Sequence, residues 1–199
     1  ETAAPGALIP EFIDLTDGDS VKAVVARHRP GAIVHLAAIV SPPSYRNPRL
    51  ARKVNVDGTR HLVTAAQALS DPPLFVFASS AAVYGSRNPH RQPELITGAT
   101  PVNPIDHYGE DKVLAEQVII ESGLPFAVLR LAAIVSPDAS ATFDGDYLVL
   151  VRATPVDNRM HATDARDVAL AFANAVDRRN AVAGKVLVIA GNDTNRSTM

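Results

Sequence analysis

Short, almost continuously apolar runs alternate along this chain with longer stretches in which apolar positions return every three or four residues. Residues 11–15 (EFIDL) read as a short strand, closed by the turn-rich TDGDS, and residues 21–29 carry a helical pattern stopped by Pro30. Residues 31–38 (GAIVHLAA) are nearly unbroken in apolar character, the mark of a strand covered on both faces. Pro42, Pro43 and Pro48 make the next stretch a loop. Residues 50–69 recover helical periodicity, interrupted by Gly58, and residues 74–80 (LFVFASS) form another buried strand that ends in two hydroxyls. A proline-, asparagine- and glycine-rich loop over 85–104 leads to a helix over 106–122 and a strand over 126–132. After an irregular stretch over 136–159 come a helix over 163–178, with Thr163 as candidate cap, and a strand over 185–190. Helices set between apolar strands predict an α/β fold, a doubly wound parallel sheet. In such sheets ligands sit outside the carboxyl ends of the strands, and chemistry is to be sought there.

Composition narrows the classes. The 199 residues suffice for one domain with a sizeable core, or for one domain and a small lobe. A net charge of -2 leaves no electrostatic case for nucleic acid or an anionic membrane surface. The absence of cysteine removes disulfides and thiolate metal sites, and none of the six histidines has the spacing of a zinc-protease helix, so no metal is expected. The longest apolar stretch, 124–135, is broken by Pro125 and Arg130 and is too short to span a bilayer, and nothing near Glu1 resembles a signal peptide. The expectation is a cytoplasmic protein. The chain starts at Glu1 with no initiator methionine, so a fragment, a processed chain or a chain whose first part is not included is expected.

The sharpest chemical signal is Tyr108-Gly-Glu-Asp-Lys112 on the helix over 106–122. Four helical residues turn through about 400°, so Tyr108 and Lys112 project within about 40° of each other. A cation beside a phenol favours the phenolate and lowers a pKa that is normally about 10, which equips the tyrosine to exchange a proton with an alcohol. An amphipathic helix with a buried ring and a snorkelling lysine has the same pattern. Ser79 and Ser80 end a buried strand, where a hydroxyl can address the oxygen that the tyrosine addresses, although strand-end serines also simply begin turns. His35 alone reads as a satisfied interior histidine.

In their order, HLAA at 35–38, NVDGT at 55–59, FASSAAVYG at 77–85, YGEDK at 108–112 and VLRLA at 128–132 resemble the extended short-chain dehydrogenase/reductases. Within them the chain is similar to the NAD-dependent epimerase/dehydratase family typified by UDP-galactose 4-epimerase, from about Phe12 to Ala190. The resemblance implies a Rossmann-like domain over 1–135 that carries the catalytic residues, with substrate-side loops and the late helix and strand over 136–199 as a remnant of a small substrate lobe. It implies NAD or NADP as cofactor and a small-molecule substrate. It implies that Tyr108 is the acid/base and that Lys112 holds the nicotinamide ribose while lowering the tyrosine pKa. By the same resemblance Ser80 is the catalytic serine and Asn55 supports the active-site helix. Asp14 and Leu15 meet adenine, Ala37 and Ala38 line the cofactor path, and His161 lies near the substrate.

The chain also departs from the family pattern. No GxxGxxG occurs, so the first glycine-rich βα unit, which cradles the pyrophosphate, is lacking, and truncation accounts for it. Ala133 stands where sugar-nucleotide epimerases commonly carry an asparagine, and this keeps a 3β-hydroxysteroid-dehydrogenase-like or other carbonyl reductase open. Ala81 and Ala82 follow Ser80 in place of the acid and base that water elimination needs, which excludes a dehydratase. The expected function is a hydride transfer at a secondary alcohol, as oxidoreductase or epimerase, with a non-catalytic cofactor-sensing protein as the other class. The family's homodimer pairs the tyrosine helix with the helix before it. Val113 and Ile120, beside Glu110 and Gln117 on the face away from Tyr108, favour that pairing mildly, with a monomer still open.

Overall fold

The computed structural model describes residues 8–87, 91–92, 94–136, 152, 159–191 and 193–195. The first helix, α1 (Gly18–His28), leads to strand β1 (Ala32–His35) and two short helices, α2 (Pro43–Arg46) and α3 (Pro48–Arg52). A π-helical turn (Lys53–Asp57) joins α3 to α4 (Gly58–Gln67), and strand β2 (Leu74–Ser80) runs into a 3-10 turn (Ala81–Tyr84). Then follow α5 (His107–Ile120), β3 (Phe126–Leu131), β4 (Ala133–Val135) and β5 (Arg159–Asp164). The chain continues through α6 (Ala165–Asp177), α7 (Arg179–Val182), β6 (Lys185–Ile189) and β7 (Asp193–Asn195).

The main sheet has the order β1-β2-β3-β6 and is parallel throughout. Alternation along β2 sends side chains to opposite faces. Phe75 and Phe77 pack with Val21 and Val25 of α1, Val63 and Ala66 of α4, and Ala115 and Ile119 of α5. Leu74, Val76 and Ala78 pack with Val168, Phe172 and Ala175 of α6. Both faces are therefore covered by helices, a doubly wound, Rossmann-like architecture. β4, β5 and β7 form a second, three-stranded sheet in which β5 pairs parallel with β4 and antiparallel with β7.

Several local expectations are corrected. Residues 11–15 are not a strand: among the described residues β1 is the edge of the sheet, and no neighbouring strand takes their backbone groups. They are tied down by side chains instead, with Ile13 and Leu15 against the core and the Glu11 carboxylate taking bonds from Arg27 (2.9 Å) and His28 (2.8 Å). The same edge position shortens the strand expected over 31–38 to four residues and leaves Val34 40% exposed. The first helix starts three residues earlier than expected, since the Asp17 side chain accepts from the backbone N–H groups of Asp19 and Ser20. Pro43 and Pro48 open short helices where a loop was expected, because proline fits the first helical turn. Thr163 belongs to β5, and Asp164 caps α6 in its place by accepting from the Arg166 N–H at 2.8 Å. The irregular stretch expected over 136–159 lies almost wholly outside the described residues.

Candidate active site

The parallel sheet points the carboxyl ends of β1, β2 and β3 the same way, and the candidate residues gather at the end of β2. Ser79 faces α5, where its Oγ donates to Glu116 Oε1 at 2.5 Å. Ser80, one residue on, is half-buried at the sheet's rim, and its Oγ accepts from the Ala82 N–H at 3.1 Å to cap the 3-10 turn. That turn is what α5 docks on. A Cβ at Gly109 would lie 2.8 Å from the Ala82 carbonyl oxygen and 3.0 Å from Pro104, so only glycine lets the first turn of α5 approach so closely. Asp106 caps α5 through a 2.7 Å bond from the Gly109 N–H, and its other oxygen accepts from the Tyr45 hydroxyl at 2.8 Å. The approach sets Tyr108 near Ser80, whose hydroxyl acts on the phenol.

The electrostatics differ from the expectation. Burial pushes the Tyr108 phenol above its usual pKa, and the Ser80 hydroxyl works against this without reversing it. The Lys112 ammonium is not spent on the phenol. It is 3% exposed, donates to the Ala78 carbonyl at 2.6 Å, and sits 4.6 Å from the Phe77 ring centroid and 5.8 Å from that of Tyr108. Burial lowers its own pKa to about 8, opposed by the carboxylates of Glu116 and Asp111. The correction has a simple cause. At a half-buried phenol whose neighbouring ammonium is claimed by a backbone carbonyl, desolvation of the charged form outweighs a cation one helical turn away.

Asn55 lies beneath the site, buried in the π-helical turn. Its Oδ1 accepts from the Ile39 N–H at 2.8 Å, and its Nδ2 donates to the Ile39 carbonyl at 3.0 Å and to Asp111 at 3.5 Å. It thus ties the segment after β1 to α5. Thr59 donates to the Asn55 carbonyl at 2.6 Å, so its oxygen accepts from His35 Nε2 at 2.9 Å. Burial, and secondarily Lys112, lowers the His35 pKa to about 4, which keeps the ring neutral at pH 7. Ala37 and Ala38 follow β1, whose His35 pairs with Phe77, so the chain leaves β1 beside the Ala78 carbonyl that holds Lys112. Asp14 and Leu15 lie further off, in the turn before α1. Asp14 is exposed and accepts from the Thr16 N–H at 2.8 Å, while Leu15 packs against Gly58, where a Cβ would come within 3.0 Å of it. His161 is exposed on β5 in the second sheet, and among the described residues it makes no hydrogen bond, ion pair or ring contact with Ser80, Tyr108 or Lys112.

Charged residues behind the site were missed by the sequence reading. Glu116, one turn beyond Lys112, is clamped by Arg130 of β3 through Nε–Oε1 (3.0 Å) and Nη2–Oε2 (2.7 Å). Arg130 Nη1 also donates to the Tyr84 hydroxyl (2.9 Å) and the Gly98 carbonyl (3.2 Å). Asp111, 1% exposed, takes Arg52 Nε at 2.8 Å. The signal was a lone arginine inside the apolar VLRLA, since a charge in a buried strand requires a partner. Among the described residues no helix is long and apolar enough to cross a membrane.

Residues 2–190 match the sequence profile of the NAD dependent epimerase/dehydratase family. D-erythronate dehydrogenase of Cupriavidus necator is 31% identical over 123 residues, 60% of this chain and 37% of that protein. UDP-glucose 4-epimerase of Rhizobium meliloti is 34% identical over 133 residues, 66% of this chain and 39% of that protein. The matched part thus spans well under half the length of these curated relatives. Among solved structures, RMD from Pseudomonas aeruginosa complexed with NADPH superposes with a TM-score of 0.79 at 22% identity, covering 99% of this chain and 74% of that one.

Proposed function

The chain belongs to the NAD-dependent epimerase/dehydratase family, and from that premise we propose that it carries the proton-transfer half of a nicotinamide-dependent oxidoreductase or epimerase acting on a secondary alcohol. The observation that carries this reading is the docking of the first turn of α5 on the 3-10 turn that Ser80 caps, which sets Tyr108 near Ser80 at the carboxyl end of β2, with the buried Lys112 ammonium one turn along α5. The Ser80 hydroxyl holds the substrate oxygen, and Tyr108 gives that oxygen a proton when a carbonyl is reduced or takes it when the alcohol is oxidised. A phenol kept protonated by burial suits the reducing direction.

The donor set fits a nicotinamide nucleotide at its ribose end. Among the described residues Lys112 Nζ has one hydrogen-bond acceptor, the Ala78 carbonyl, next along β2 from Phe77, whose β1 partner His35 leads to Ala37 and Ala38. NAD or NADP supplies the hydride acceptor or donor when bound. Lys112 would hold the ribose hydroxyls, Asp14 and Leu15 would meet the adenine end, and Asn55 keeps α5 in register with the segment after β1. No glycine-rich turn occurs in the 199 residues to take the pyrophosphate. His161 is a substrate-side candidate from its exposed place on β5 of the second sheet.

The substrate is a hydroxylated small molecule of sugar-nucleotide or sugar-acid type, in keeping with the names of a UDP-glucose epimerase and a D-erythronate dehydrogenase among the relatives. A sugar-acid or other reductase substrate is favoured at one point by Ala133, half-buried at the start of β4, where no side-chain amide is offered. The test is made on the full-length protein with UDP-glucose and with D-erythronate in the presence of NAD or NADP. Epimerisation interconverts UDP-glucose and UDP-galactose with no net change in reduced nicotinamide, whereas a dehydrogenase accumulates it. In either case Tyr108→Phe is expected to cut turnover by roughly 10²–10⁴ while leaving the circular dichroism spectrum unchanged. A Tyr108→Phe protein as active as its parent overturns the reading.

A further inference from the structure

Glu116 and Arg130 form an ion pair in the interior, with side chains 4% and 7% exposed. A buried pair of this kind is often no better for stability than two well-packed apolar residues, so its presence calls for another role. Its surroundings supply one. Glu116 and Lys112 are one turn apart on α5, on the face turned to β2, and they dock on successive residues of that strand, Glu116 on the Ser79 hydroxyl and Lys112 on the Ala78 carbonyl. The carboxylate is held on three sides, by Arg130 Nε and Nη2 and by Ser79 Oγ. Arg130 is itself fixed by Tyr84, whose hydroxyl donates to the Thr97 carbonyl at 2.8 Å and whose ring centroid lies 5.0 Å from the guanidinium carbon. The carboxylate therefore has one available position.

The groups facing Lys112 are few. From α5 they are Tyr108, Asp111 and Glu116. From β1 it is His35, which is neutral and adds no repulsion at pH 7. From β2 they are the Ala78 carbonyl and the Phe77 ring. Asp111 is partly neutralised by Arg52, which reaches it from the half-exposed rim. Of the Glu116–Arg130 pair it is the carboxylate that shares with Lys112 the face of α5 turned to β2, while the guanidinium reaches it from β3.

We propose that Glu116 is the positioning residue of Lys112: its carboxylate, clamped between Arg130 and Ser79, keeps the neighbouring ammonium protonated and seated at the carboxyl end of β2. The role in turnover rests on the function proposed for Lys112, but the electrostatic claim is separable from it. Burial strips the ammonium of water and gives back one carbonyl, and a fixed negative charge one turn away offsets part of that loss.

The chain has four lysines, Lys22, Lys53, Lys112 and Lys185, so the Lys112 signal can be followed by ¹³C NMR of ε-labelled lysine and assigned with Lys112→Met. Glu116→Gln, which keeps the shape and removes the charge, is expected to lower the Lys112 titration midpoint by about one unit, tenfold in proton affinity. A general loosening of the site admits water and moves the midpoint the other way. A midpoint that stays or rises in Glu116→Gln overturns the proposal. Should that variant not fold, Glu116→Asp, which keeps the charge and draws it back by one methylene, must lower the midpoint by a smaller amount, and an unchanged or higher value overturns the proposal. The titration needs no substrate. Midpoints that move as stated in a protein without turnover sink the catalytic reading and leave the electrostatic one standing.

Discussion

Arg130→Met removes one partner of the buried ion pair while keeping an unbranched side chain of comparable reach. Two bonds from the guanidinium to Glu116 are lost, and with them those to the Tyr84 hydroxyl and the Gly98 carbonyl. Glu116, 4% exposed on its side chain, then keeps the Ser79 hydroxyl as its hydrogen-bond partner and only the Lys112 ammonium one turn away as a balancing charge. Breaking a buried pair in this way costs about 3–5 kcal/mol. In a domain of this size that corresponds to a fall in Tm of roughly 6–20 °C, at about 2–4 °C per kcal/mol. Urea unfolding followed by circular dichroism gives the free energy by linear extrapolation. The double variant Glu116→Leu/Arg130→Met removes both charges; beyond the Tyr84 and Gly98 bonds already lost with Arg130, it leaves the Ser79 hydroxyl without its partner, a penalty of about 1–3 kcal/mol. It is therefore expected to be more stable than Arg130→Met alone. An Arg130→Met loss below about 1 kcal/mol, or a double variant that loses the sum of the two single losses, refutes the reasoning.

Other outcomes follow from the same structure. His35, with a folded pKa of about 4 against 6.5 unfolded, contributes stability that is whole above pH 6.5 and is lost as pH falls from 6.5 towards 4. The full loss is about 3 kcal/mol, from roughly 1.36 kcal/mol per unit. His35→Gln, which still donates to Thr59 and does not titrate, should lack this fall, and stability curves parallel to the parent's contradict the assignment. Gly109→Ala places a Cβ 2.8 Å from the Ala82 carbonyl, so the first turn of α5 must lift from the 3-10 turn. A destabilisation of roughly 1–3 kcal/mol and a loss of turnover are expected together, and an alanine variant of full activity would show that the close approach of the two segments is dispensable.

Much of the architecture was legible because the pattern of apolar runs is imposed by the sheet itself. LFVFASS is a strand with the bounds that its composition marked, covered on both faces, and the helix bearing Tyr108 and Lys112 presents both side chains to β2 as a four-residue spacing requires. What was not legible depends on neighbours. EFIDL has a strand's composition but, among the described residues, finds no strand to pair with beside the sheet edge, and Val34 on that edge is exposed. The early start of α1 was written in Asp17, whose capping capacity was taken for a turn. The sign of the Tyr108 shift was beyond sequence reasoning, since the spacing shows the lysine but not the burial of the phenol or the carbonyl that claims the ammonium. The clamp of Glu116 by Arg130 was marked only by its polar intruder in VLRLA, and its partner four residues past Lys112 had to come from the fold.

A kinetic double-mutant cycle over Ser80 and Tyr108 in the full-length protein tests the central claim most directly, namely that both hydroxyls act on one substrate oxygen. Ser80→Ala and Tyr108→Phe should each lower kcat strongly, and the double variant should be little worse than the poorer single one, because groups that act as a unit are not additive. If the two losses multiply as independent effects, or if Ser80→Ala turns over like the parent, the shared site at the end of β2 is not where the chemistry occurs.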